Sequence, residues 1–192
     1  MSRRMAPEQL PLWHGADSIE ARIYLCGHCG SQVGSEKGWH TVHPGHAIYL
    51  CSGCGRPTYF TYGTQIPGVA YGGDVEYVPP ESAAIYREAR NCMSVNAYTA
   101  VVLLCRKLLM HIGVAEGAEE NKPFAFYMNY LVDAGYIAQK SRPWVDRIRN
   151  KGNDANHEIA PITRTDAEEL IALSQMVLQL VYEYPGRLPP PA

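Results

Sequence analysis

Four cysteines carry the most specific chemistry in this sequence. They stand in two Cys-x-x-Cys-Gly knuckles, "CGHCG" (Cys26, Cys29) and "CSGCG" (Cys51, Cys54), with 21 residues between Cys29 and Cys51. Each knuckle turns tightly enough for two thiolates to reach one ion, and two knuckles together offer four sulfur ligands in a tetrahedron. Gly30 and Gly55 follow the second cysteines, where a residue with φ > 0 would let backbone N–H groups point at sulfur. The pattern predicts one structural Zn2+ per chain. Iron in the same geometry, or two redox pairs, are the alternatives, although a redox pair usually occurs once and beside a βαβ pattern that is absent here. A closed four-sulfur sphere leaves no open coordination position, so no catalytic metal is expected. His28, His40, His43 and His46 lie nearby, but four cysteines already complete the sphere, and these histidines read as part of an exposed, turn-rich loop. Cys92 and Cys105 fall in helical patterns and read as small core residues.

A second group centres on "RIRNKGNDANHE", residues 147–158. Arg149 and Asn150 stand on the last turn of a helical pattern, Gly152 breaks it, and His157 follows after an Asn-rich run. Lys140, Arg142, Arg147, Arg149 and Lys151 crowd twelve residues with only Asp146 opposing, a local charge of +4 in a chain of net −2. Such a cluster can meet an anion, and it can equally be a solvated helix end whose cations oppose the dipole. Asn153 and Asn156 suit the turn after a glycine. Upstream, Lys107 and His111 are four apart and would share one helix face, open to a ligand. Arg106 would pair with Glu168 or Glu169 of the last helix. Phe124, Phe126, Tyr127 and Tyr130 have the spacing of core and interface residues more than of a base-stacking platform.

These residues need elements to hold them. The chain has 192 residues, enough for one ordinary domain or two small ones, and 46% are hydrophobic, as in a globular protein. A net charge of −2 excludes a non-specific nucleic-acid coat. No apolar run approaches the ~20 residues of a membrane span, the longest being "AVVLLC" before Arg106 and Lys107. The N-terminus has no apolar segment of the signal-peptide type. The expectation is a cytoplasmic protein with no membrane partner. Residues 1–20 read as a flexible leader. Residues 21–79 hold short apolar runs ("IYLC", "AIYLC", "TYFTY") between turn residues, an antiparallel β module too small to fold without a staple. The Gly72–Gly73 pair suggests a flexible crossing. Residues 80–185 switch to helical periodicity, with about five helices. Gly113 is expected to stop the second, and Thr165 with Glu168 to cap the fifth before Pro185 ends it. Residues 186–192 read as a disordered tail. The fold class is therefore mainly α, a helical bundle preceded by a small antiparallel zinc ribbon.

The runs "LLCRKLLMHIGVAEGA" (103–118), "YLVDAGYI" (130–137) and "WVDRIRNKGNDANHEI" (144–159), with "EYVPPESAAIYREAR" upstream, resemble the DUF4145 family, grouped with the HEPN superfamily of helical bundles. The resemblance covers roughly residues 75–184 and implies a bundle that is often dimeric and associated with prokaryotic defence systems. Many HEPN proteins are metal-independent ribonucleases, whose Arg–polar–His motif maps here to Arg149, Asn150 and His157. The seven residues between Arg149 and His157 are more than is usual in that motif, a longer Gly-Asn form that DUF4145 members share. RNA cleavage by its own 2′-OH needs a base at that hydroxyl, an acid at the leaving 5′-oxygen and stabilisation of the charged phosphorane. Histidine and arginine supply these roles. One such set per chain is half of an acid–base site that a two-fold dimer would complete. Arg147, Lys151, Asn153, Lys107 and His111 would bind RNA or a nucleotide. The alternative is a non-catalytic, zinc-stapled accessory module with a protein, nucleic-acid or nucleotide partner.

Overall fold

The computed structural model describes residues 11–148 and 162–188. The chain divides into two compact units, Met1–Ala70 and Tyr71–Ala192.

The first unit is a five-stranded antiparallel meander with strand order β1-β2-β3-β4-β5. The strands are β1 (Asp17–Leu25), β2 (Gln32–His40), β3 (His46–Leu50), β4 (Pro57–Thr61) and β5 (Thr64–Ile66). The three expected apolar runs fall in β1, β3 and β4. β2, "QVGSEKGWH", has no comparable run; only Val33, Ser35 and Gly38 of it are buried, so it declares itself by pairing with both neighbours. Its buried cluster is small: Tyr24, Val33, Tyr49 and Phe60, together with Cys26, Cys51 and Cys54. The Tyr24 and Tyr49 rings meet Phe60 edge-on at 5.2 and 5.6 Å between centroids, a favourable aromatic geometry. Within the stretch read as a leader, Trp13 donates its indole N–H to the Gly55 carbonyl (2.6 Å) and packs edge-on against Trp39, and β1 begins at Asp17.

The second unit is helical: α1 (Pro80–Ser94), α2 (Tyr98–Ala115), α3 (Phe124–Asp133), α4 (142–148 in its described part) and α5 (Arg164–Leu178). α5 runs on through a π-helical stretch, Gln179–Glu183, into a last turn, α6 (Tyr184–Arg187). Pro185 therefore does not end the helix. It has no N–H for the carbonyl four residues back, and the wider π turn before it accommodates that gap. α2 is central, packed on α1, α3 and α5. Val101, Val102, Cys105, Leu108, Leu109 and Ile112 form its buried face. Among the described residues, α2 is the one helix long and apolar enough to cross a membrane. That hydropathy belongs to the face that makes this unit's core.

Two sequence-based boundaries move. Gly113 does not stop α2: it is buried, and a Cβ there would lie 2.9 Å from the Tyr127 ring, so glycine permits close approach of α3. The stop comes at Gly117, with φ +102. The cap of α5 is Thr163, whose hydroxyl accepts from the Asp166 N–H (3.3 Å) while the Asp166 carboxylate accepts from the Thr163 N–H (3.0 Å). This capping box sits two residues earlier than the expected one, and Glu168 instead pairs with Arg164 at 2.8 Å. The Gly72–Gly73 pair is held rather than flexible. Arg90 donates to the carbonyls of Tyr71 (3.2 Å) and Gly72 (2.8 Å) and meets the Asp74 carboxylate; Gly73 N–H donates to Gln175 (2.8 Å).

Candidate functional site

Both knuckles are hairpin loops, Cys26 and Cys29 between β1 and β2, Cys51 and Cys54 between β3 and β4. In a meander, alternate turns fall at the same end of the sheet, so the two loops meet. They are built alike. Cys26 and Cys51 donate their N–H groups to the carbonyls of Ser31 (2.9 Å) and Arg56 (3.0 Å), and Gly30 and Gly55 donate theirs to the carbonyls of Cys26 and Cys51, both at 2.8 Å. Gly30 and Gly55 take φ of 68° and 67°, where a Cβ is disfavoured. Their N–H groups close the turn on oxygen. The groups that reach sulfur are two residues after each first cysteine: His28 N–H to Cys26 Sγ (3.4 Å) and Gly53 N–H to Cys51 Sγ (3.3 Å).

All four sulfurs lie within 4.8 Å of one another. Cys26 and Cys54 are 3.9 Å apart, Cys29 and Cys51 3.8 Å. A tetrahedron of sulfurs about 2.3 Å from a central ion has edges of about 3.8 Å, so the cluster fits a metal ion and is too open for disulfides, and no cysteine is in one. Burial pushes the Cys26 and Cys54 thiols up. Burial acts in the same sense on Cys29, but hydrogen bonds with Ser31, Cys26 and Cys54 together outweigh it and the net shift is downward. Ionising buried thiols calls for a cation among them, and metal binding would release their protons. His28 is not a fifth ligand, since its Nε2 lies 2.9 Å from the Pro57 carbonyl. Cys105 is fully buried in the helical core with its thiol pushed up to about 12 by burial, and Cys92 packs against that core; neither is near the knuckles in the chain.

In the helical unit, α2 presents Thr99, Leu103, Lys107 and His111 on one exposed stripe. Lys107 and His111 thus share an outward face, as their spacing implied. On α4, Val145 and Ile148 are buried and Arg147 is turned out, its guanidinium 3.3 Å from the Glu169 carboxylate of α5. Arg149, Asn150, Lys151, Asn153 and His157 lie outside the described residues. Arg106 does not pair with Glu168 or Glu169, which are engaged by Arg164 and Arg147. Its guanidinium lies 4.3 Å from the Phe124 ring centroid, burial pulls its pKa down, and its Nη1 is buried without a hydrogen-bond partner. A cation over an aromatic face explains that placement. Phe124 and Tyr127 are core residues, whereas Phe126 is exposed and Tyr130 donates its hydroxyl to the Glu116 carbonyl (2.6 Å).

One candidate went unnoticed in the sequence. Arg22 of β1 lays its guanidinium 4.0 Å from the centroid of Phe60 on β4. The signal available was its position two residues before the buried Tyr24, hence on the same face of the strand.

A family model described as "Domain of unknown function (DUF4145)" matches residues 87–188, just over half of the chain and all within the helical unit. No curated protein and no solved structure matches.

Proposed function

The chain belongs to the DUF4145 family, and on that premise we propose an RNA-directed protein of a prokaryotic or phage defence context. Its β unit carries one structural Zn2+ on Cys26, Cys29, Cys51 and Cys54. Its helical unit is a HEPN-like bundle that acts as a cytoplasmic, metal-independent endoribonuclease. Zinc is the reading for the metal because four thiolates at tetrahedral spacing suit an ion with no geometric demand of its own. The observation that carries the RNA reading is the register of α4. Burial of Val145 and Ile148 turns Arg147 outward, on the stretch that leads directly into Arg149 and Asn150.

In the proposed reaction, one imidazole takes the proton from a ribose 2′-OH as its oxygen bonds to phosphorus. The P–O5′ bond breaks, and a second imidazole gives its proton to the leaving oxygen. The products are a 2′,3′-cyclic phosphate and a 5′-hydroxyl. His157 supplies one imidazole, and His157 of a second copy supplies the other. Arg149 faces the charged phosphorane and Asn150 orients the phosphate. Incubation with RNA in EDTA, zinc content being followed in parallel, should yield 2′,3′-cyclic phosphate ends that His157→Ala abolishes. Cleavage surviving that substitution rejects the assignment, and light scattering that finds only monomer rejects the shared site.

The ion pair of Arg147 with Glu169 favours a second reading. A guanidinium already met by a carboxylate on a neighbouring helix serves packing as readily as RNA. The protein would then be a non-catalytic, zinc-stapled module that binds a protein, nucleic acid or nucleotide. RNA binding without cyclic phosphate ends, or neither, distinguishes that case.

A further inference from the structure

The β unit contains a cavity of about 570 Å³ remote from the cysteines. The knuckles occupy one end of the meander; the β2–β3 turn, residues 41–45, lies at the other. The cavity opens beside that turn, and its walls include Glu20, Arg22, His40, His43, His46 and Phe60. Strand register explains the gathering. His40 pairs with Ala47, and Ala47 with Phe60, so the three stand in one row across β2, β3 and β4. Arg22 reaches the same row from β1, its guanidinium carbon 4.0 Å from the Phe60 ring centroid.

The polar groups are held and aimed. Among the described residues no ion pair occupies Arg22, so its cation rests on the Phe60 ring while its donors stay available. His46 neighbours Ala47 in β3, so its ring lies on the other face of the sheet, bonded through Nδ1 to the Tyr59 hydroxyl (2.7 Å), and it borders the cavity only at the strand end. His40 and His43 are exposed at the turn. The imidazoles of His40 and His43 do not form a metal site with a third ligand. Among the described residues, the cysteine cluster is the only group of three or more His, Cys, Asp or Glu close enough to share an ion. A planar donor fork and imidazoles spread around a volume suit a polyatomic anion rather than a metal. The volume exceeds that of a phosphate and falls in the range of small-molecule pockets. Glu20 on the wall is an acceptor with no use for a bare anion, but it suits the hydroxyl groups of a sugar.

We propose that this cavity binds a ribose phosphate, with the phosphate on Arg22, His40 and His43 and a sugar hydroxyl on Glu20. The group can come from a free nucleotide or from an RNA strand. The site is independent of any cleavage by the helical unit.

The test titrates the zinc-loaded full chain with inorganic phosphate, ribose 5-phosphate, 5′-AMP and a short 5′-phosphorylated RNA, following the histidine ring signals by NMR. Ribose 5-phosphate and 5′-AMP should shift the signals of His40 and His43 more than that of His46, and bind more tightly than inorganic phosphate. Saturation by the RNA alone assigns the ribose phosphate to a strand, and saturation by 5′-AMP assigns it to a free nucleotide. Arg22→Lys keeps the charge but loses the fork, and His40→Gln changes an exposed residue; each should weaken binding about tenfold while zinc content stays unchanged. Equal binding by inorganic phosphate overturns the sugar contact. Unmoved histidine signals, undiminished binding by both variants, or uptake of a second Zn2+ at these histidines overturns the site.

Discussion

The two units meet the same requirement, a stable interior, from opposite ends. Among the described residues the helical unit buries twenty-two core residues in one cluster, and the β unit buries seven, three of them cysteines. A core so small cannot offset the conformational entropy of the chain it orders. In the β unit three of the four cysteines that could hold a metal are therefore also core residues, so metal binding there would be coupled to the fold. Among the described residues the helical core is built without such ligands, and its polar residues can face outward. α2 shows this on one helix, with a wholly apolar buried face and Lys107 and His111 on its exposed stripe.

The sharpest way to break this contrast is to remove the metal. Structural zinc contributes on the order of 10 kcal/mol to small domains, more than seven buried residues can replace. Chelation, or Cys51→Ser, should collapse the dispersed NMR signals of residues 17–66 while helical circular dichroism persists. A β unit that keeps its dispersion without metal would show that its aromatic cluster suffices. Zinc quantification on the native chain, expected at one ion per molecule, fixes the starting point.

The converse experiment strikes the helical core. Leu108 and Leu131 are fully buried, and replacing either by alanine leaves a cavity that costs about 2–5 kcal/mol. Thermal or urea unfolding followed by helical signal should register the loss, while zinc stays bound and the β-unit spectrum is unchanged. Zinc release caused by Leu108→Ala would mean that the units do not fold independently.

How much of this was legible in the sequence follows the same divide. Metal-ligand spacing is local, so the cysteine cluster could be read from ten residues. Helix faces were legible because burial repeats every three to four residues, as Val101, Leu108 and Ile112 show. Helix ends were less so. Gly113 looked like a stop because a glycine after an apolar run resembles a C′ residue, yet its role is tertiary: contact with Tyr127 decides it. Arg106 was expected beside Glu168 or Glu169 on charge alone, whereas Phe124 provides the surface it covers. Arg22 and the histidines of the β2–β3 turn were beyond a linear reading, since strand pairing brings together residues up to 38 positions apart, as with Arg22 and Phe60. The expected Arg149, Asn150 and His157 site lies outside the described residues.

A smaller effect sharpens the helical side. The capping box of Thr163 and Asp166 was expected at Thr165 and Glu168, because both spacings satisfy the same pattern. Thr163→Ala should cost about 1 kcal/mol in urea unfolding, and Thr165→Ala much less. The reverse ranking would place the helix start two residues later.

The smallest stability effect carries the most about function. Arg147 is half-exposed and pairs with Glu169 at 3.3 Å, and a pair of this kind is worth under about 1 kcal/mol. Arg147→Ala should therefore leave the unfolding midpoint nearly unchanged. If the outward face of α4 meets RNA, the same substitution should weaken binding uniformly across sequences and reduce the salt dependence of affinity by about one phosphate contact. Glu169→Gln separates the two roles. It removes the ion pair but leaves the cation, so it should strengthen RNA binding if Arg147 serves phosphate and leave binding unchanged if Arg147 serves packing. A measurable loss of stability in Arg147→Ala, with RNA affinity unaltered, would assign this arginine to the structure and favour the non-catalytic module.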